Sequence, residues 1–323
     1  MAKYIIKRIL LLIPVFLGVT FVIFAIVRLN PADPVLAILG IDITDEQYAA
    51  KAAELGLDKP FFAQYLIYIK NIVFHLDLGV SYSTGRAVST MIAERFLTTM
   101  KLGLLGILLA MVLGIPFGIV AATRQYSVLD RIVTVASLLF ASMPSFFSAL
   151  LMMLLFALKL RWLPASGLAT WKGWIMPVLA VGLSPVAGIT RMTRSSMLDV
   201  TRQDYVRTAR AKGLSERAVI VKHELKNAII PVLTVVGMQI GSIMAGSVVM
   251  ENIFSVPGMG SMISKAITDQ DYNLVQGSVL VIALFICAVN LVVDIVYAFI
   301  DPRIKAQYKS SNKRRGKRKE AKK

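Results

Sequence analysis

The residues whose types and spacing best suit a chemical task lie in one polar stretch, residues 191–228, set between two apolar runs. It contains Asp204-Tyr-Val-Arg-Thr-Ala-Arg-Ala-Lys-Gly-Leu214, followed by His223-Glu-Leu-Lys-Asn-Ala-Ile-Ile-Pro231. What these residues offer is a shape and a charge. Asp204 to Ala211 has the composition of a short helix, Gly213 supplies a positive-φ stop, and Ser215 can cap a second helix running through Lys226. A rigid helix that ends at a glycine is a knob for the cleft of a partner, able to pass rigid-body motion into neighbouring helices. The same basic residues can equally lie on lipid headgroups, and from the residues alone the two readings stand level.

Reactive constellations are missing elsewhere. No Gly-x-x-x-x-Gly-Lys-Ser/Thr stretch occurs, and Gly258-Met-Gly260 is too short to form a nucleotide loop. Nucleophile-elbow and His-Glu-x-x-His patterns are absent. His75 and His223 are far apart, and Cys287 is the single cysteine. The expectation is a chain with no catalytic residue, metal or cofactor of its own.

The elements that must position the knob follow from composition. Of 323 residues, 56% are hydrophobic and 17% charged, with a net charge of +17. Such a chain is not disordered overall, and it can separate apolar spans from charged ends. Six long apolar runs emerge: residues 9–27, 102–123, 132–158, 175–190, 229–250 and 275–300. The fourth is short and holds Pro177 and Pro185. The sixth carries the one ionisable group within a span, Asp294, seven residues and about 10 Å before Asp301. Asp294 either pairs with a basic group at the interface or serves gating or passage of substrate. The fold class is therefore all-α, a polytopic membrane protein with six transmembrane helices.

Placing both termini inside puts 25 Lys and Arg on the inner face and 11 on the outer. The positive-inside rule favours this cytoplasmic placement. Net charge is then +18 inside and zero outside, with Asp294 completing the sum. The chain divides into an N-terminal helix (1–28), an extracytoplasmic segment (29–101), a five-helix core (102–300) carrying the 191–228 loop, and a basic tail (301–323). In the outer segment, Thr44 and Gln47 form a capping box, and Pro60 opens an apolar helix from Phe61 to Phe74. Gly114 with Gly118, and Gly237 with Gly241, allow close helix approach. Pro116, Pro144, Pro177 and Pro185 predict kinks. The tail lacks the aromatic platform of a nucleic-acid module and is expected near anionic lipid, without nucleic acid as a partner.

At 204–214 and 223–231 the sequence resembles the coupling motif of ABC importer permeases, in its peptide/nickel subfamily variant. Asp77-Leu-Gly79, Thr84-Gly-Arg86, Phe254-Ser-Val-Pro-Gly-Met-Gly260, Asp301-Pro-Arg303 and Lys7-Arg8 are similar to the same subfamily. Arg207-Thr-Ala209 stands where the wider family has Glu-Ala-Ala before the glycine, and Pro231 lies further from Gly213 than in sugar-type permeases. The resemblance implies the type I permease fold with an extracytoplasmic insertion after the first helix, and the role of first permease of a heterodimeric pair. It implies two ATPase subunits that bind ATP and Mg, and an extracytoplasmic substrate-binding protein, in a bacterial plasma membrane. Asp204, Tyr205, Arg207, Ala209, Lys212, Gly213 and Leu214 are then the ATPase-coupling residues. Peptide is the expected cargo, with nickel or a metal–chelator complex second. A stand-alone secondary carrier and a structural scaffold are the rival classes, and the substrate-binding residues stay unassigned.

Overall fold

The computed structural model describes residues 2–29 and 33–300. Among them regular structure is helical, apart from one antiparallel bridge between Val80 and Ala87. In chain order the helices are α1 (Ala2–Leu29), α2 (Pro34–Leu39), α3 (Asp45–Glu54), α4 (Phe61–Lys70), α5 (Val88–Thr123), α6 (Val128–Ser142), α7 (Ser145–Met152), α8 (Lys172–Thr201), α9 (Asp204–Ala211), α10 (Glu216–Ala218), α11 (Lys226–Ile253), α12 (Met259–Thr268) and α13 (Tyr272–Ile300). Five stretches are long and apolar enough to cross a bilayer, and a sixth forms if α6 and the helical run from Ser145 to Lys159 count as one broken span.

The spans differ from the apolar runs in instructive ways. At 36 residues α5 is about 54 Å long, nearly twice the hydrocarbon thickness, and it starts at Val88 in the outer segment. Hydropathy marks where lipid begins, whereas backbone hydrogen bonding continues into water. For the same reason α8 extends through Arg191 to Thr201, inside the stretch expected as loop. In the third span the kink expected at Pro144 is a sharp break, the chain bending by 103° between Ser142 and Ser145. Pro144 is the N-cap of α7, and its ring and missing N–H end the preceding helix.

The centre of the molecule is the pair α5 and α8, with α7 and α11 closing a core built on Leu102, Ile107, Met176, Ile189, Val236 and Met250. In lipid the drive for this contact is close packing, because the surroundings are as apolar as the core. Gly114 and Gly118 let α5 approach α8. A Cβ on Gly114 would stand 2.9 Å from Ile189 Cγ2, and one on Gly118 would press on Thr190 and Thr193. The second glycine pair opens α11 to α13, Gly237 against Val293 and Gly241 against Ile286. Helix α1, by contrast, exposes Leu10, Val22 and Ile26.

Residues 33–87 form a chain of short helices and turns tied back to the bundle. Thr44 and Gln47 form the expected reciprocal box on α3. Pro60 stands as N-cap of α4, whose Phe61, Tyr65 and Tyr68 rings pack on Phe21 and Phe24 of α1. The Tyr65 hydroxyl reaches the Leu17 carbonyl at 3.0 Å. Two buried carboxylates anchor the remaining outer elements. Asp271 accepts from the hydroxyls of Ser81 and Ser83 and the backbone N–H of Tyr82, fastening the 81–86 turn to the start of α13. Glu251, fully buried at the end of α11, accepts from Thr99 Oγ1 at 2.7 Å and from the N–H groups of Gly260 and Ser261 at 2.7 and 3.1 Å. It thereby caps α12 and joins it to α5.

Candidate functional site

Helix α9 forms as its composition predicts, from Asp204 to Ala211. Gln203 is extended and serves as N-cap, and Asp204 places a negative charge in the first turn. At the other end the Gly213 N–H donates to the Arg210 carbonyl at 2.9 Å, and Gly213 adopts φ +78°, the left-handed region that terminates a helix.

The element after the glycine differs from the expected second short helix. Ser215 is extended but makes no side-chain cap, and α10 passes through a π-helical stretch, Val219–Leu225, directly into α11. One continuous helical rod therefore runs from Glu216 to Ile253, and only α9 lies across it as a separate piece. A π stretch of this kind adjusts the facing of a helix without breaking it.

The two faces of α9 have different tasks. Val206 and Ala209 are buried against Val219 and Val200, a small core that seats the helix. Asp204, Tyr205, Arg207, Lys212, Gly213 and Leu214 are all exposed. Six of the seven residues singled out by sequence thus share the open side, while Ala209 belongs to the seat. Burial raises the Tyr205 phenol above its ordinary pKa, against a hydrogen bond with Asn227 that lowers it.

A charge cluster that sequence reading missed locks the seat. Arg210 Nη2 meets Glu224 Oε1 at 2.9 Å, and Arg210 Nε meets Glu216 Oε1 at 2.8 Å. Glu224 is 1% exposed. Hydrogen bonding to Glu216 holds the Arg210 guanidinium still more firmly in its charged form. The available signal was a basic residue on α9 followed, one turn and one helix later, by two acidic ones. A bidentate pair from Arg194 of α8 to Asp130 of α6 braces the same end of the bundle, at 2.7 and 2.9 Å. The side chain of Asp294, the basic tail and Asp301 lie outside the described residues.

The arrangement therefore presents a short, rigidly held, charged helix on the end of a long rod that reaches the bundle core. It can receive a mechanical load and deliver it to α8 and α11. No side chains here are arranged for bond making.

Comparison with known proteins agrees with this architecture. Residues 114–306 match the family described as binding-protein-dependent transport system inner membrane component, and residues 1–103 match the corresponding N-terminal family. The chain is 40% identical to the dipeptide transport system permease protein DppB of Alkalihalophilus pseudofirmus, over 94% of this chain and 100% of the relative. It is 41% identical to the di/tripeptide transport system permease protein DppB of Pseudomonas aeruginosa, over 95% and 100%. It is 39% identical to the glutathione transport system permease protein GsiC of Salmonella choleraesuis, over 94% and 99%. Among solved structures, an inward-facing MetNI methionine ABC transporter aligns with a TM-score of 0.54 at 15% identity, covering 66% of this chain and 97% of that one. The shared fold is that of the type I ABC importer permeases. On these matches and this fold, the chain belongs to the binding-protein-dependent transport system inner membrane component family, as a multi-pass membrane permease.

Proposed function

We propose that this chain is one of two homologous permease subunits of an ATP-driven importer that moves dipeptides and other short peptides into the cell. The observation that carries the reading is identity of about two residues in five, over nearly the full length, to permeases named for dipeptide, di/tripeptide and glutathione transport. The import energy comes from ATP and Mg on two separate ATPase subunits. The exposed residues of α9, from Asp204 to Leu214, dock into those subunits, with Ala209 holding the helix in its seat. An extracytoplasmic binding protein delivers peptide from the other side, both termini face the cytoplasm, and the assembly sits in a bacterial plasma membrane. Alternating access follows when ATPase closure moves α9 and, through the rod from Glu216 to Ile253, the helices that line the path.

The test is reconstitution of this chain with its second permease, ATPases and binding protein in proteoliposomes. Uptake of labelled dialanine that requires both ATP and the binding protein supports the reading. Uptake by this chain alone under an ion gradient overturns it, as does transport of nickel with no peptide uptake.

A further inference from the structure

A cavity of about 180 Å³ lies between α7, α8 and α11, and its wall combines apolar residues with Ser145, Ser184, Gln239 and Ser242. It sits at mid-depth. Gln239 is about 20 Å from either end of α11, and Ser184 is about 18 Å from the start of α8. Hydrogen-bonding groups at that level are costly in lipid and are expected to face protein or water. Yet Ser184 and Ser242 are exposed, and among the described residues none of the four side chains has a hydrogen-bond partner.

The backbone contributes as well. Pro185 has no N–H to donate to the carbonyl of Val181, and both residues line the cavity. Pro144, beside Met143 and Ser145 of the wall, makes the sharp break that brings α7 against α8 and α11. The result is a neutral set of groups: a carboxamide that donates and accepts, three hydroxyls that do both, and a carbonyl that accepts. A peptide bond asks for one acceptor and one donor. A bare divalent cation asks for imidazole, thiolate or carboxylate, and the cavity wall has none. At about 30 Å³ per water the space holds roughly six waters, which suits one peptide unit with its side chains left on the open face.

We propose that Gln239, Ser184, Ser242 and Ser145, with the Val181 carbonyl, form a contact site for the main-chain amide of a passing peptide, so that the path reads backbone and is indifferent to side chain. The inference rests on the peptide-import reading. The test uses the complete reconstituted transporter and counts peptide taken up per ATP hydrolysed, for dialanine and for diphenylalanine. Gln239→Leu lowers this ratio about fivefold for both peptides, the effect of one lost hydrogen bond. Ser184→Ala combined with Ser242→Ala lowers it similarly, and Gln239→Asn recovers part of it. An unchanged ratio, with uptake and hydrolysis falling together, marks a purely structural role and overturns the site. A loss confined to one dipeptide overturns backbone reading. A wild-type complex that hydrolyses ATP yet imports neither peptide removes the underlying function instead.

Discussion

Asp130 and Arg194, 64 residues apart, meet as a two-pronged ion pair that fixes the first turn of α6 to the C-terminal part of α8. Asp130 is 4% exposed and also accepts from the Tyr126 N–H, so the loop between α5 and α6 is held by the same carboxylate. Removing the carboxylate leaves a guanidinium without its partner. Asp130→Ala is expected to cost about 2 kcal/mol, less than a fully buried pair because Arg194 keeps contact with solvent. A lowered thermal midpoint in detergent checks this. The double change Asp130→Ala with Arg194→Met recovers part of the loss.

Arg210 makes the corresponding link at α9. Arg210→Ala leaves Glu224 charged and buried, which is expected to unseat the helix at a cost of about 3 kcal/mol. Peptide-stimulated ATP hydrolysis of the assembled complex should fall at least tenfold. Arg210→Lys keeps a charge without the fork and should lie between.

The Gly213 position separates strain from crowding. A Cβ there meets nothing within 4 Å, yet φ is +78°. Gly213→Asn, which tolerates the left-handed region, should retain most uptake, while Gly213→Val costs about 1–2 kcal/mol locally and loosens the end of α9. Gly213→Pro abolishes the required conformation and should abolish uptake with the ATPases still expressed. Uptake assays in cells carrying the full transporter rank the three.

Crowding decides the case of Gly118. Gly118→Leu forces α5 from α8 at Thr190 and Thr193 and should cost well over 2 kcal/mol, read as lost folded protein after detergent extraction. Gly18→Ala on α1 meets nothing within 4 Å and should be neutral or slightly stabilising.

Glu251 supplies a second carboxylate test. Glu251→Ala leaves the Gly260 and Ser261 N–H groups and the Thr99 hydroxyl hydrogen without their acceptor, and α12 should then exchange amide hydrogens at least tenfold faster. Glu251→Gln keeps an acceptor and should retain much of the protection.

Much of this protein was legible in the chain because lipid imposes a simple demand. Six apolar runs, the clustering of Lys and Arg between residues 191 and 228, the Gly213 stop and the Thr44–Gln47 box each follow from local composition, where solvent or backbone geometry acts on neighbours in sequence. Helix α9 was likewise readable from Asp204 to Ala211. The limits of α5 and α8 were not, since a helix leaving the bilayer loses its apolar marker while keeping its hydrogen bonds. Ser215 does occupy the N-cap position with extended backbone, but its hydroxyl makes no capping hydrogen bond, which composition could not show.

Sequence by itself determined that the chain crosses a membrane, which polar stretches carry the charge, and where a short helix interrupts one of them, because each depends on transfer from water or on a single residue's φ preference. Only the tertiary structure decided which charges meet. Asp130 found Arg194, Glu224 found Arg210, and Gln239 came to lie beside Ser184, through helix packing that brings together residues 14 to 64 positions apart. Such pairings depend on how α5, α8 and α11 pack at their glycines and on the break at Pro144, and no local pattern records which partners result.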